Sequence, residues 1–149
     1  MPQADPTPGT TTVLIVEDDP DHAVLLGAAF RNRAPGTQLR VASTAEEAMA
    51  YLLGTGPHAD RGASPLPALI TLDIGLPGMD GIGFLHWLSR REEAWKDTPV
   101  VVVTGSVDRT TRHLALALGA REVCVKPPDF GVVVDLIQAI LVRRKDASA

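Results

Sequence analysis

Four short stretches hold the residues that can do chemistry. Glu17-Asp18-Asp19 follow the apolar run TVLIV (12–16), and Asp73 follows ALITL (68–72) and opens the Gly/Pro-punctuated turn IGLPGMDG. Thr104 closes VVVVT (100–104) ahead of Gly105 and Ser106, and Lys126-Pro127 follow EVCV (122–125). A carboxylate at the end of a buried strand costs several kcal/mol to desolvate unless something compensates it. If Glu17, Asp18 and Asp73 meet, they repel by roughly 3 kcal/mol per pair at about 5 Å and an effective dielectric near 20. A hard divalent cation removes that cost. Mg²⁺ prefers an oxygen-only shell and takes its remaining ligands from phosphate. Lys126 can pair with Asp73 at rest and with a phosphoryl oxygen afterwards, and Thr104 offers a hydroxyl. Such a set suits attack of the Asp73 carboxylate on an activated phosphorus to give an acyl phosphate. Mg²⁺, Lys126 and Thr104 would neutralise charge on the equatorial oxygens.

That chemistry requires four distant stretches to converge, and the remaining pattern says how. The runs 12–16, 38–42, 68–72, 100–104 and 122–125 are short, β-branched and mostly apolar, as in strands covered on both faces. Helical stretches lie between them, near 20–33, 44–53, 81–94, 107–118 and 129–143. Asp19 ahead of Pro20 reads as an N-cap before a first-turn proline, Thr44 with Glu47 as a capping box, and Asp80 and Asp129 as further caps. Gly119 stops the fourth helix. Five strands alternating with five helices imply an α/β chain: a flavodoxin-like, doubly wound, five-stranded parallel sheet of order 2-1-3-4-5. Ligands in such sheets sit at the carboxyl ends of the strands, where all four stretches fall.

Composition narrows the function classes. The 149 residues are 45% hydrophobic and 21% charged, which reads as one globular domain. Residues 1–11 are expected to be a disordered tail, 12–143 the folded domain and 144–149 a short C-terminal tail. A net charge of -4 argues against a nucleic-acid surface. The single cysteine, Cys124, excludes an intrachain disulfide and fits a small buried hydrophobe. No secretory signal or membrane-length apolar run is present, so the expected location is cytoplasmic, without membrane partners. None of His22, His58, His86 and His113 has a second His or Cys at metal spacing. None of the four is read as a phosphohistidine either, so the phosphoryl donor must be another molecule. The segment 54–67 is a long polar insertion, of a length usually functional or mobile.

The motifs VEDD (16–19), LDIGLPGMDG (72–81), VVVTGS (101–106) and VKP (125–127), in this order, resemble the response-regulator receiver domain of two-component signalling. The resemblance covers residues 12 to about 143. It implies Asp73 as phosphoacceptor, Asp18 as metal ligand and Glu17 as an acidic partner. It also implies the Gly75 carbonyl as a backbone metal ligand, Thr104 as switch hydroxyl and Lys126 as the phosphate-binding lysine. A cis peptide before Pro127 is usual in the family and physically admissible. The long loop and LPGMDG are also similar to single-domain regulators paired with phytochrome-type histidine kinases, implying a sensor kinase such as a bacteriophytochrome as partner.

Some positions depart from the family pattern. Val123 stands where many receivers carry Tyr or Phe, and Pro127-Pro128-Asp129 separate Lys126 from Phe130, which is expected under the start of the last helix. Gly75 and Ser106 are small where larger side chains often control water. In the last helix the apolar arc from Val132 to Val134 spans roughly 200°, against the 100° or somewhat more of a core stripe. The excess suggests homodimerisation through that helix. Two other functions are weighed: an adaptor that is never phosphorylated, and an aspartyl-nucleophile phosphohydrolase. The latter wants a second acid two residues after its nucleophile, where Gly75 stands. The expected protein is thus no enzyme beyond its own phosphorylation and dephosphorylation.

Overall fold

The computed structural model describes residues 10–148, with side chains to residue 144. Most of the expected tail, residues 1–9, lies outside the described residues. Five strands, β1 (Thr12–Val16), β2 (Gln38–Ala42), β3 (Leu69–Leu72), β4 (Val100–Thr104) and β5 (Glu122–Val125), form one parallel sheet of order 2-1-3-4-5. Between and after them run α1 (Pro20–Arg33), α2 (Ala45–Leu53), α3 (Gly81–Ser89), α4 (Arg109–Ala117) and α5 (Gly131–Ser148).

Alternation along each strand splits the core into two layers. Leu14, Val16, Ile70, Leu72 and Val102 pack against Leu52, Phe84, Leu88 and Ala115 of α2, α3 and α4. Val13, Ile15, Leu69, Val101 and Val103 face Leu26 and Phe30 of α1 and Val133, Ile137 and Ile140 of α5. Arg33 bonds Asp135 at 2.7 Å, tying α1 to α5.

The caps form where the sequence puts them. Asp19 accepts from the backbone of Asp21 and His22, and Asp80 from Gly83; Asp108, not singled out from the sequence, caps α4 by accepting from Thr111. Thr44 accepts from Glu47 N–H, while Glu47 reaches back to Ser43 N–H at 3.0 Å, one residue further than the usual box.

Three segments differ from the expectations. The third helix stops at Ser89, and residues 94–97 form a separate 3-10 turn. On one continuous helix, Trp87 and Trp95 would stand about 12 Å apart along the axis. Instead the chain folds back and stacks their rings at 5.8 Å, with Arg91 over both and paired to Glu93. The last helix begins at Gly131, with Asp129 accepting from Gly131 N–H, and runs to Ser148 rather than ending at 143. No peptide bond among the described residues is cis, so Lys126–Pro127 is trans. Pro127 and Pro128 each disfavour helical backbone at the residue before them, so α5 starts only beyond this pair.

The insertion between α2 and β3 is pinned. The Arg61 guanidinium donates to the carbonyls of Tyr51 and Leu52 at 2.8 and 2.6 Å, closing the C-terminal end of α2, and to Ser64 at 3.3 Å. Tyr51 Oη donates to the Pro65 carbonyl at 2.6 Å. Arg61→Ala should therefore lower stability by about 1–2 kcal/mol and raise amide exchange across residues 54–66, while exchange in β1 and β3 stays at the global limit. Exchange mass spectrometry with urea unfolding reads both effects.

Candidate phosphoryl-acceptor site

The strand register delivers the site residues to one rim. Val16 lies opposite both Ala42 and Leu72, and Thr104 opposite Val125. The ladder continues one residue past the strand ends: Glu17 N–H bonds the Ala42 carbonyl, Asp73 N–H the Val16 carbonyl, and Lys126 N–H the Thr104 carbonyl at 2.7 Å. The backbones of Glu17, Asp73 and Lys126 are thus fixed before their side chains meet.

The turn after β3 is fixed in the same way. Gly75 N–H donates to Asp73 Oδ1 at 2.9 Å, and Gly81 N–H to the Ile74 carbonyl. A Cβ at Gly81 would lie 2.6 Å from the Asp73 carbonyl oxygen and from the Ile74 Cα, so only glycine lets α3 start against this turn.

Glu17 and Asp73 are buried and Asp18 is exposed, and carboxylate oxygens of all three lie within 4.8 Å of one another. The Lys126 ammonium reaches Glu17 Oε1 at 2.6 Å and Asp73 Oδ2 at 2.9 Å. Thr104 Oγ1 donates to Asp73 Oδ1 at 3.0 Å. Both Asp73 oxygens are therefore occupied by donors. Every expected side chain is brought together, and Gly75 sits at the same rim through its N–H.

Burial pushes the Glu17 carboxyl up from its ordinary 4.5 to about 7, and the neighbouring Asp73 adds to the rise against the opposing pull of Lys126. Burial also works against ionisation of Asp73. There the hydrogen bonds of Glu17, Lys126 and Gly75 N–H outweigh it and hold the carboxyl below the usual carboxylate range. Burial would lower Lys126 too, but its two carboxylate partners raise it. Asp73 is thus the ionised member and Glu17 the reluctant one.

One site residue is not evident from sequence. His22 Nδ1 stands 2.7 Å from Lys126 Nζ, and its ring centroid 6.2 Å from that of Phe130. Phe130 is itself buried beneath the start of α5, as expected. The available signal was the cap: Asp19 followed by Pro20 puts His22 in the first turn of α1, where side chains tilt back toward the strand tip.

The comparisons with known proteins agree with this geometry. The family model of the response regulator receiver domain matches residues 13–138. The transcriptional regulatory protein BaeR of Escherichia coli is 32% identical over 136 residues, covering 91% of this chain and 50% of BaeR. This chain thus spans about half the length of that relative. Among solved structures, response regulator RPA3017, in red light signalling of R. palustris, superposes with a TM-score of 0.76 at 28% identity, covering 87% of this chain and 90% of its own. The phosphorylated cyanobacterial phytochrome response regulator RcpA gives 0.75 at 25% identity, covering 88% and 91%. The chain belongs to the response-regulator receiver domain family. Among the described residues no helix is long and apolar enough to cross a membrane.

The raised Glu17 carboxyl carries a pH signature. Between pH 4.5 and about 7 the folded chain holds a proton that the unfolded chain has released, so stability falls as pH rises through that window. Asp73 acts in the opposite sense, but only below its ordinary 3.8. With chelator present, the thermal midpoint should fall from pH 5 to pH 8, and Glu17→Gln should flatten that slope. A slope unchanged in the variant would refute the assignment.

Proposed function

We propose that this chain takes a phosphoryl group on Asp73 from the phosphohistidine of a sensor histidine kinase and signals through protein–protein contacts. The Asp73 carboxylate attacks phosphorus, the P–N bond breaks, the imidazole leaves and is protonated, and an acyl phosphate forms. One observation carries this reading: an ionised Asp73 at the strand rim, with the Lys126 ammonium and the Thr104 hydroxyl within 3.0 Å of its oxygens. Lys126 follows an oxygen of the incoming group, and Thr104 turns its hydroxyl to another.

The donor set also fits a resident Mg²⁺. Hard carboxylate oxygens of Glu17, Asp18 and Asp73 lie close enough to share one ion, and the Gly75 carbonyl is the fourth protein ligand in this reading. When bound, the ion supplies positive charge for the phosphoryl oxygens. Gly75 leaves no general acid two residues after Asp73, which speaks against turnover of other phosphate esters. The phosphorylated form of RcpA supports the acceptor role, and the place of RPA3017 in red light signalling supports a bacteriophytochrome-type kinase as donor.

Homodimerisation through α5 belongs to the same reading. Val133, Val134, Ile137 and Ile140 fill the core, but Val132 is 59% exposed, and Leu136 and Ala139 follow along the same edge of the helix.

Incubation with acetyl phosphate and Mg²⁺ should add one phosphoryl group by intact mass. Asp73→Asn or chelation should abolish the gain. No gain in the wild type with Mg²⁺ bound would instead support an unphosphorylated adaptor. In sedimentation at tens of micromolar, Val132→Asp should shift a dimer toward monomer, whereas a strict monomer in every state would remove the dimer.

A further inference from the structure

We propose that His22 is a positioning residue for phosphoryl transfer, a hydrogen-bond acceptor that keeps the Lys126 ammonium at the rim when its carboxylate partners turn elsewhere. This rests on the reading of Asp73 as phosphoacceptor. An ammonium has three N–H donors and no acceptor. Three acceptors surround Lys126 Nζ: Glu17 Oε1 at 2.6 Å, His22 Nδ1 at 2.7 Å and Asp73 Oδ2 at 2.9 Å. All three donors are in use.

The 2.7 Å contact also sets the tautomer. A proton on Nδ1 would point at the ammonium, so Nδ1 presents its lone pair to Lys126 and the ring hydrogen sits on Nε2. Asp19 Oδ2 at 3.3 Å and Glu17 Oε1 at 3.6 Å flank the same nitrogen. Phe130 lies beside the ring, and the first turn of α1 fixes its backbone.

The three acceptors are not equivalent. Asp73 is the group that becomes phosphorylated, and Glu17 belongs to the acidic set suited to a hard cation. Either carboxylate contact can therefore be lost during the reaction. A neutral imidazole is a poorer ligand than carboxylate for such a cation, and the Nδ1 lone pair gains nothing from the phosphoryl oxygens. His22 alone has no competing use. Without it, the flexible four-carbon stem of Lys126 has no fixed partner at the moment it must meet the transferred group.

The test follows acetyl phosphate with Mg²⁺ by intact mass over time for the wild type, His22→Leu and His22→Asn. The leucine variant should lose about tenfold in second-order rate, the effect of one hydrogen bond. The asparagine variant, whose Oδ1 accepts where Nδ1 does, should recover to within about twofold of wild type. Imidazole ¹⁵N NMR of the wild type should show a bare Nδ1 and a protonated Nε2. Unchanged rate in His22→Leu, asparagine as slow as leucine, or a proton on Nδ1 would each overturn the proposal. A wild type that gains no phosphoryl group refutes the acceptor reading instead. The tautomer, measured on the wild type, still decides whether His22 holds Lys126, even if the leucine variant fails to fold.

Discussion

Two buried carboxylates on one ammonium are the contact on which this architecture depends. Glu17 and Asp73 come from the tips of β1 and β3, and Lys126 from the tip of β5, 53 residues beyond Asp73. Neither carboxylate could stay buried and charged alone, since desolvation is not repaid without a partner. Lys126 at 2.6 and 2.9 Å opposes that cost at both, and with its other donors Asp73 overcomes it while Glu17 does not. The asymmetry follows from geometry: Asp73 also receives Gly75 N–H and Thr104 Oγ1, while Glu17 has less to set against its burial. Of the two carboxylates, Asp73 is the one kept ionised.

A parallel sheet is what makes such a meeting possible. All five strands point one way, so their carboxyl ends share one edge. A slip of one residue in any strand would turn its side chains to the opposite face. Register is therefore strongly specified, because both faces are filled: Leu14 and Val16 toward α2, α3 and α4, Val13 and Ile15 toward α1 and α5. The close approach of Gly81 to the Asp73 backbone extends that precision into the turn that follows β3. The packing that fixes the core fixes the chemistry.

Much of this was legible in the residues themselves. Strand runs such as TVLIV and VVVVT have no plausible place but a covered sheet, and Asp19-Pro20 and Thr44 mark helix starts through local chemistry. The acidic rim followed from the fold class, because each acid stands directly after a strand. What escaped depends on contacts between segments far apart in the chain. The stacking of Trp95 on Trp87 ends α3 early, although nothing at Arg90 forbids a helix. The meeting of His22 with Lys126 spans 104 residues and needs the sheet to exist first. Arg61 likewise turns an apparently open insertion into a clasp on α2, through carbonyls that carry no sequence signature.

Val123 bears on how a change at Asp73 reaches the rest of the domain. The side chain is small and buried in the layer shared with α2, α3 and α4, so no aromatic ring at this position can swing between core and surface. Two hydrogen bonds onto backbone carbonyls link these elements. Lys126 N–H holds the Thr104 carbonyl, which couples the two residues that would follow a phosphoryl oxygen, and Arg112 of α4 donates to the Val123 carbonyl at 2.9 Å. A shift of Thr104 would therefore pull on the end of β5, and through the Val123 carbonyl on α4. On this geometry the face of α4 and β5, where Leu114, Leu116 and Val125 are exposed, is joined to the Thr104 end of β4 by these hydrogen bonds.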